Sequence, residues 1–407
     1  MKKLVPHPPL SHRPLARLHG LFFWLALGAV LALAFLVLAR LAPRPAHLAP
    51  PRGPHSPQLR WLLTGDGERR GFALRSNLAL DGAAWELWGN GAGQPPLAPL
   101  DRLYPESRPN PPSLGCNGGY WDETEHAVGV CAGQRGIHGA RSHPQGFAIA
   151  GDRAWIGPLS AHIQLALMAG DRPTSPALEL PLNPRPPPRH APCLIDPQAY
   201  PWPLRLDSPT EVIWLDRATT APLRFNTTVP LRVRQALPRQ LGLVTPPPAG
   251  CLLWLSPQLK SAPPAPLAPR PGDCYELSLT LDPVRGVVQL ATCAGPRLLK
   301  DGKIRPQLYE HTGGDDERTW RTVVGCDRDG RTLWLVVLAR GLDGQPGVTL
   351  GEAAQTLLEQ GASEGLNLDG GSSTSVCSSQ LGPELLSLFP LRSEIHHALF
   401  LIKKLEL

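Results

Sequence analysis

The stretch that most constrains the fold runs from Arg331 to Val376. Arg331 to Leu338 is a short continuous run of β-branched and aliphatic residues behind an Asp329-Gly330 turn, which predicts a fully buried strand. Thr349 and Glu352 then have the spacing of a capping box. They open a helix whose Ala353, Ala354, Leu357 and Leu358 share a face and whose stop is Gly361. Alternating apolar residues through Gly365, Leu366, Asn367 and Leu368 predict a second strand that ends at Asp369. Gly370 and Gly371, followed by Ser372, Ser373, Thr374 and Ser375, let the backbone turn sharply there. A right-handed crossover makes the two strands parallel, and ligands in open α/β sheets sit beyond the carboxyl ends of strands. The loop thus offers a carboxylate, a side-chain amide and backbone donors at one strand end. Asp-Gly-Gly alone is an ordinary turn signal. The strand-helix-strand context is what makes it a candidate site.

Elsewhere the texture is of short strands between Gly and Pro turns, as in Gly71 to Leu74, Trp85 to Trp88, Phe147 to Ala150, Tyr275 to Leu281 and Ala398 to Ile402. The expected class is therefore α+β, a mixed and mostly β sheet domain with a few helices, one of them in the strand-helix-strand unit. Residues 171–272 are rich in proline, and Glu211 to Leu215, Leu231 to Arg234 and Cys251 to Leu255 read there as short strands. Proline at that density argues against central strands and predicts a peripheral sheet or cap on the same domain. His162 alternates with apolar neighbours and reads as pointing away from the packed face. Asn226-Thr227-Thr228 matches the glycosylation sequon.

A chain of 407 residues with 42% hydrophobic content can bury a real core, so it is not a disordered protein. Its N-terminus carries Leu21 to Ala39, nineteen uncharged residues whose helical length approaches a bilayer core of about 30 Å. Lys2, Lys3, Arg13 and Arg17 precede it, so the positive-inside rule keeps the N-terminus cytoplasmic despite Arg40, Arg44 and Arg52 beyond. We therefore expect a cytoplasmic tail over 1–20, a transmembrane anchor over 21–41, a Pro-rich linker over 42–58, and a domain over 59–407 that is periplasmic or extracellular. A cleaved signal peptide is the rival reading, although its apolar core is usually shorter, about 7 to 15 residues. The net charge of +6 comes from scattered arginines without a nucleic-acid-binding motif. All eight cysteines follow the apolar segment, which predicts disulfides in an oxidising compartment. No Cys or His cluster has zinc spacing in the sequence, so neither metal nor cofactor is expected.

Three stretches in order carry a family likeness: Cys116-Asn117-Gly118-Gly119-Tyr120-Trp121-Asp122, Gly295-Pro296-Arg297-Leu298-Leu299-Lys300-Asp301-Gly302, and Asn367-Leu368-Asp369-Gly370-Gly371-Ser372-Ser373-Thr374. With the Arg321-Thr322-Val323-Val324-Gly325 run and the strand-helix-strand unit, they resemble the phosphodiester glycosidase domain family over about residues 110 to 402. Two places depart from the family pattern. Ser372 follows Asp-Gly-Gly directly, and Ser393-Glu394-Ile395 stands where relatives carry Arg-x-Val.

The resemblance implies a hydrolase acting on a sugar-1-phosphate diester. Such chemistry passes through an oxocarbenium-like transition state and needs a carboxylate near the anomeric carbon and donors for the departing phosphate. Asp369 is the expected carboxylate, Arg321 the phosphate clamp, and Glu310 or Asp122 a second carboxylate. Asn117, Gly118, Gly119, Asn367, Gly370, Gly371, Ser372, Ser373 and Thr374 are the expected substrate contacts, with Asn117 and Asn367 either bonding sugar hydroxyls or fixing the carboxylate. Glu310 precedes the His311-Thr312-Gly313-Gly314 loop, where a histidine titrates near neutrality. Ser372 and Ser373 lack the Gly-x-Ser-x-Gly elbow that a serine nucleophile requires. Two functions share these features: a membrane-anchored envelope hydrolase cleaving a glycosyl phosphodiester, and a non-catalytic envelope module binding anionic glycan or a partner. They differ in whether Asp369, Arg321 and a second carboxylate share one cleft.

Overall fold

In a computed structural model the described residues are 57–81, 85–89, 98–105, 108, 111–122, 127–184, 187–188, 190–200, 204–244, 250–255, 270–306, 317–381, 388–389 and 394–402, all within the unit His55–Leu407. The expected tail, anchor and linker, together with Glu310 and His311, lie outside these residues. Among the described residues no helix is long and apolar enough to cross a membrane. About 56% of the structure is strand and 8% helix, in keeping with the mostly β expectation.

The C-terminal unit sits in a seven-stranded sheet of order Gln58–Leu63, Arg69–Asn77, Thr332–Leu338, Arg321–Cys326, Glu364–Asn367, Arg297–Lys300 and Lys303–Ile304. Thr332–Leu338 and Glu364–Asn367 each pair antiparallel with Arg321–Cys326 between them, so they run parallel to one another. The crossover between them is the helix Leu350–Glu359. Its capping box is complete: Thr349 Oγ1 accepts from the Glu352 amide at 3.1 Å, and Glu352 Oε2 accepts from the Thr349 amide at 2.8 Å.

Thr332–Leu338 is buried along its whole length because the sheet is covered on both faces. Leu333, Leu335 and Val337 join one core, and Trp334, Val336 and Leu338 join another with Leu350, Ala353, Ala354 and Leu357 of the helix. Two covered faces remove the usual alternation, which is why the sequence reads there as an unbroken apolar run. Fully burying each such side chain stabilises by about 2 kcal/mol.

A second sheet of twelve strands holds most of the remaining chain. Cys193–Ile195, Gly250–Leu255, Leu204–Arg217 and Thr227–Val244, all from the proline-rich region, form one end of it and join the rest through Cys274–Asp282. Pro230 is tolerated because of where it falls. Thr227–Val244 pairs with Cys274–Asp282 from Thr227 to Arg232 but meets Leu204–Arg217 only from Leu231 onward, so Pro230 has a strand on one side. Val376–Cys377, Leu114–Asn117, His397–Leu401 and Trp85–Gly89 make a four-stranded sheet that brings the early glycine motif beside the late one.

The expected disulfides are not formed: all eight cysteines are free thiols. Six of them are buried, and burial pushes the Cys326 and Cys293 thiols up to about 12. Cys116 and Cys377 lie on paired strands opposite Val376 and Gly115, and the backbone ladder rather than a covalent bond ties the two loops together. Asn226 is not presented as a glycan acceptor. Its amide donates to Val284 O at 3.0 Å and Gly286 O at 2.9 Å. His162 is exposed beside Glu179 Oε1 at 3.0 Å, facing away from the packed layer.

Candidate active site

Asp369 and Arg321, 48 residues apart in sequence, line one cleft of about 510 Å³, a size suited to a small-molecule ligand. Asp369 follows the end of Glu364–Asn367, and Arg321 opens the adjacent antiparallel strand, so the pairing of these strands brings the two together. Arg321 is 2% exposed, and its guanidinium donates through Nη2 to Glu317 O at 3.0 Å and through Nε to Val348 O at 3.4 Å. These bonds fix the plane of the fork at the wall of the cleft. Asp369 is half-buried, and its Oδ1 accepts from the Gly370 amide at 3.0 Å.

The glycine motifs act on the backbone of this site. Asn117 is buried; its Nδ2 donates to Asp369 O at 2.6 Å and its Oδ1 accepts from Thr322 Oγ1 at 2.7 Å. The Asp369 amide donates to Gly118 O at 3.1 Å, so the two loops hold each other in both directions. Gly118 admits no side chain, because a Cβ there would collide with the His397 ring. Gly371 has φ +59°, the left-handed region that favours glycine. Asn367 Nδ2 donates to Gly295 O at 2.9 Å, joining the Gly-Pro turn to the same assembly.

The structure engages the amides that the sequence offered to a ligand. Gly370 N–H serves Asp369, Gly371 N–H donates to Trp320 O at 2.8 Å, and the Ser373 and Thr374 amides donate to Gly370 O and Gly371 O. The four amides thus shape the loop. Ser372 is exposed and Ser373 and Thr374 are buried in the turn. None of these three, nor Asn117, Gly118, Gly119, Asp122 or Asn367, lines the cleft; Gly370 and Gly371 do. Asn117 bonds the backbone carbonyl of Asp369, whereas Asn367 Nδ2 bonds Tyr120 Oη, Gly295 O and Leu368 O.

Four polar residues that sequence reasoning did not single out also line the cleft: Glu317, Thr319, His143 and Gln145. Glu317 lies four residues before Arg321 and supplies a second carboxyl group to the same cleft. Its proximity to Arg321 was the available signal. His143 is the first residue of the strand His143–Ala150, and nothing local in the sequence distinguishes it from any other histidine. Its Nδ1 lies 2.6 Å from Gln145 O and 3.2 Å from the Gln145 amide nitrogen, so the ring is held by the backbone of its own strand. Tyr120 and Trp121, from the early motif, give the cleft an aromatic wall.

A carboxylate and a guanidinium thus share one cleft at strand ends within a β-rich domain. A model of the family described as phosphodiester glycosidase matches residues 256–385, the part of the chain that carries Arg321, the capped helix and Asp369. The early motif at Cys116 to Asp122 lies outside the match. No curated protein matches. Among solved structures, a hypothetical protein from Synechocystis aligns with TM-score 0.56 and 20% identity over 84% of this chain. The alignment covers 61% of that structure's own length, so this chain spans about three fifths of it. A protein of Burkholderia pseudomallei K96243 described as exported aligns with TM-score 0.52 and 17% identity, over 82% of this chain and 73% of that one. Both likenesses establish the fold. The catalytic domain of zebrafish N-acetylglucosamine-1-phosphodiester alpha-N-acetylglucosaminidase aligns at TM-score 0.36 and 13% identity, over 86% of this chain and 84% of that one.

Proposed function

We propose that the protein hydrolyses a glycosyl phosphodiester, with Asp369 acting at the anomeric carbon and Arg321 receiving the phosphate. The observation that carries this reading is the shared cleft of Asp369 and Arg321 within the segment that matches the phosphodiester glycosidase family. In the ground state the guanidinium pairs with phosphate oxygens in a forked geometry. As the bond from the anomeric carbon to the phosphate oxygen breaks, the sugar gains positive charge and the leaving phosphate gains negative charge. Asp369 stabilises the first and Arg321 the second. A phosphate monoester leaves readily, so little acid assistance is needed. The harder task is to deliver water or accept its proton, and His143 and Glu317, which both line the cleft, are the candidates for it.

The cellular setting in this reading is the bacterial envelope, with residues 21–41 as an anchor and the domain outside the cytoplasm acting on a cell-surface glycan. Its support is the uncharged run from Leu21 to Ala39 and the basic residues before it. The alternative function is a non-catalytic module that binds anionic glycan.

One experiment separates the two. The full chain in detergent is assayed for sugar release from a panel of sugar-1-phosphodiesters, beside an Asp369→Asn variant of unchanged melting temperature. Turnover that disappears in the variant supports the hydrolase. Retained glycan binding in both proteins without turnover on any member of the panel would move the assignment to the binding module.

A further inference from the structure

His396 and His397 are buried at the four-stranded sheet and neither lines the cleft. Their Nδ1 atoms are 3.0 Å apart, and with Cys131 Sγ they form a group whose possible ligand atoms all lie within 4.8 Å of one another. A Cys-His-His set has the composition of a zinc site. The proton positions decide otherwise. The buried Gly119 amide donates to His397 Nε2 at 2.9 Å, and a backbone N–H can only donate, so Nε2 must present its lone pair. Burial, with His138 nearby, pushes this ring down to about 3, so it is neutral and carries one proton. That proton is therefore on Nδ1, where it forms a hydrogen bond to His396 Nδ1 and blocks metal ligation. Thr292 Oγ1, 2.7 Å from Nε2, turns its hydroxyl toward the same lone pair.

We infer that His397 is a positioning residue: it clamps the Asn117-Gly118-Gly119 turn and, through that turn, sets the Asp369 carboxylate. Two successive amides of the turn end on this one residue, Gly118 N–H on the His397 carbonyl at 2.9 Å and Gly119 N–H on its ring. The turn then accepts the Asp369 amide at Gly118 O and donates from Asn117 Nδ2 to Asp369 O. The ring also fills the space that a Gly118 side chain would need. Without the acceptor, a buried amide is left unbonded beside the carboxylate's own anchor, and the turn must shift to satisfy it. The catalytic consequence rests on the hydrolase reading; the clamp itself does not.

The test has a spectroscopic and a kinetic arm. In the wild-type protein, nitrogen NMR of labelled histidine is expected to show His397 protonated at Nδ1 and bare at Nε2, unchanged when one equivalent of zinc is added. Protonation at Nε2, or zinc shifting the Nδ1 signals of both histidines, overturns the inference. In the kinetic arm, His397→Gln keeps a carbonyl that reaches Gly119, and is expected to hold kcat within about threefold of wild type. His397→Leu, which has no acceptor, is expected to lose about tenfold to a hundredfold in kcat with KM little changed. Equal losses in the two variants, or a loss confined to KM, overturn the positioning role. If the wild type turns over no phosphodiester, the hydrolase reading falls while the tautomer measurement still decides the clamp.

Discussion

The seven-stranded sheet and the outer end of the twelve-stranded sheet are both packed strands, yet they differ in what lies at the strand ends. Thr332–Leu338 is covered on both faces, and its partners Arg321–Cys326 and Glu364–Asn367 present Arg321 and Asp369 to one cleft. Thr227–Val244 has a core of its own, with Leu231 and Val233 packed against Tyr275 and Leu277, but it continues to Leu241 and Leu243, which are 64% and 73% exposed. Packing density is thus no guide to where chemistry sits. A site arises where strand ends are held together by loops that have no other backbone freedom, as Gly118 and Gly371 show.

The contrast can be broken most directly at Asp369. Asp369→Asn is expected to lower turnover by about a thousandfold with little change in melting temperature, because the amide preserves shape but not charge. A variant that keeps a tenth of wild-type activity would remove the carboxylate from the reaction.

Acid is the next largest lever. Burial pushes His138 down to about 4 and His397 down to about 3, so both stay neutral in the fold while the unfolded chain protonates them below about 6.5. The unfolded state then binds more protons, and stability present above that pH is lost as pH falls toward 4. Asp196, raised to about 6 by burial although Arg217 lies 3.5 Å away, acts in the opposite direction between those values. Two bases outweigh one acid, and urea midpoints are expected to report a net loss of several kcal/mol between pH 7 and pH 4. A flat profile would contradict the buried neutral histidines.

Core truncations sharpen the comparison between the two sheets. Leu335→Ala and Leu277→Ala, both in fully buried positions, should each cost about 2–5 kcal/mol in chemical denaturation. At a temperature where both variants remain folded, only the first should also reduce turnover, since its strand adjoins the one bearing Arg321. Equal kinetic effects would show that the outer sheet is coupled to the site. Thr349→Ala, which removes one half of the capping box, is expected to cost about 1 kcal/mol. Smallest of all, Leu243→Ser at the exposed strand end should leave stability within about 0.5 kcal/mol. A larger loss would reveal a packing role there.

Much of the site-bearing half was legible because its signals are local. A capping box, a doubly covered strand and a left-handed glycine depend on residues a few positions apart. The resemblance added Arg321 and the early Asn-Gly-Gly motif. His143, by contrast, has no local mark, and the pairing of Asn117 with Asp369 spans 252 residues. The engagement of the loop amides was equally invisible, since free and bonded amides have the same sequence. The cysteine count does not say which thiols the fold brings to bonding geometry, and all eight are free.

The sequence by itself determined the elements: which runs extend, where the helix starts and stops, and that a carboxylate follows a strand beside two glycines. Periodicity and capping fix these because their energies act over one or two turns of chain. Only the tertiary structure decided that Arg321, Glu317, His143 and Asp369 face one cleft, that the glycine amides serve the fold, and that His397 carries its proton on Nδ1. Those outcomes depend on contacts between distant segments, which burial and hydrogen-bond satisfaction select only when the whole chain has closed.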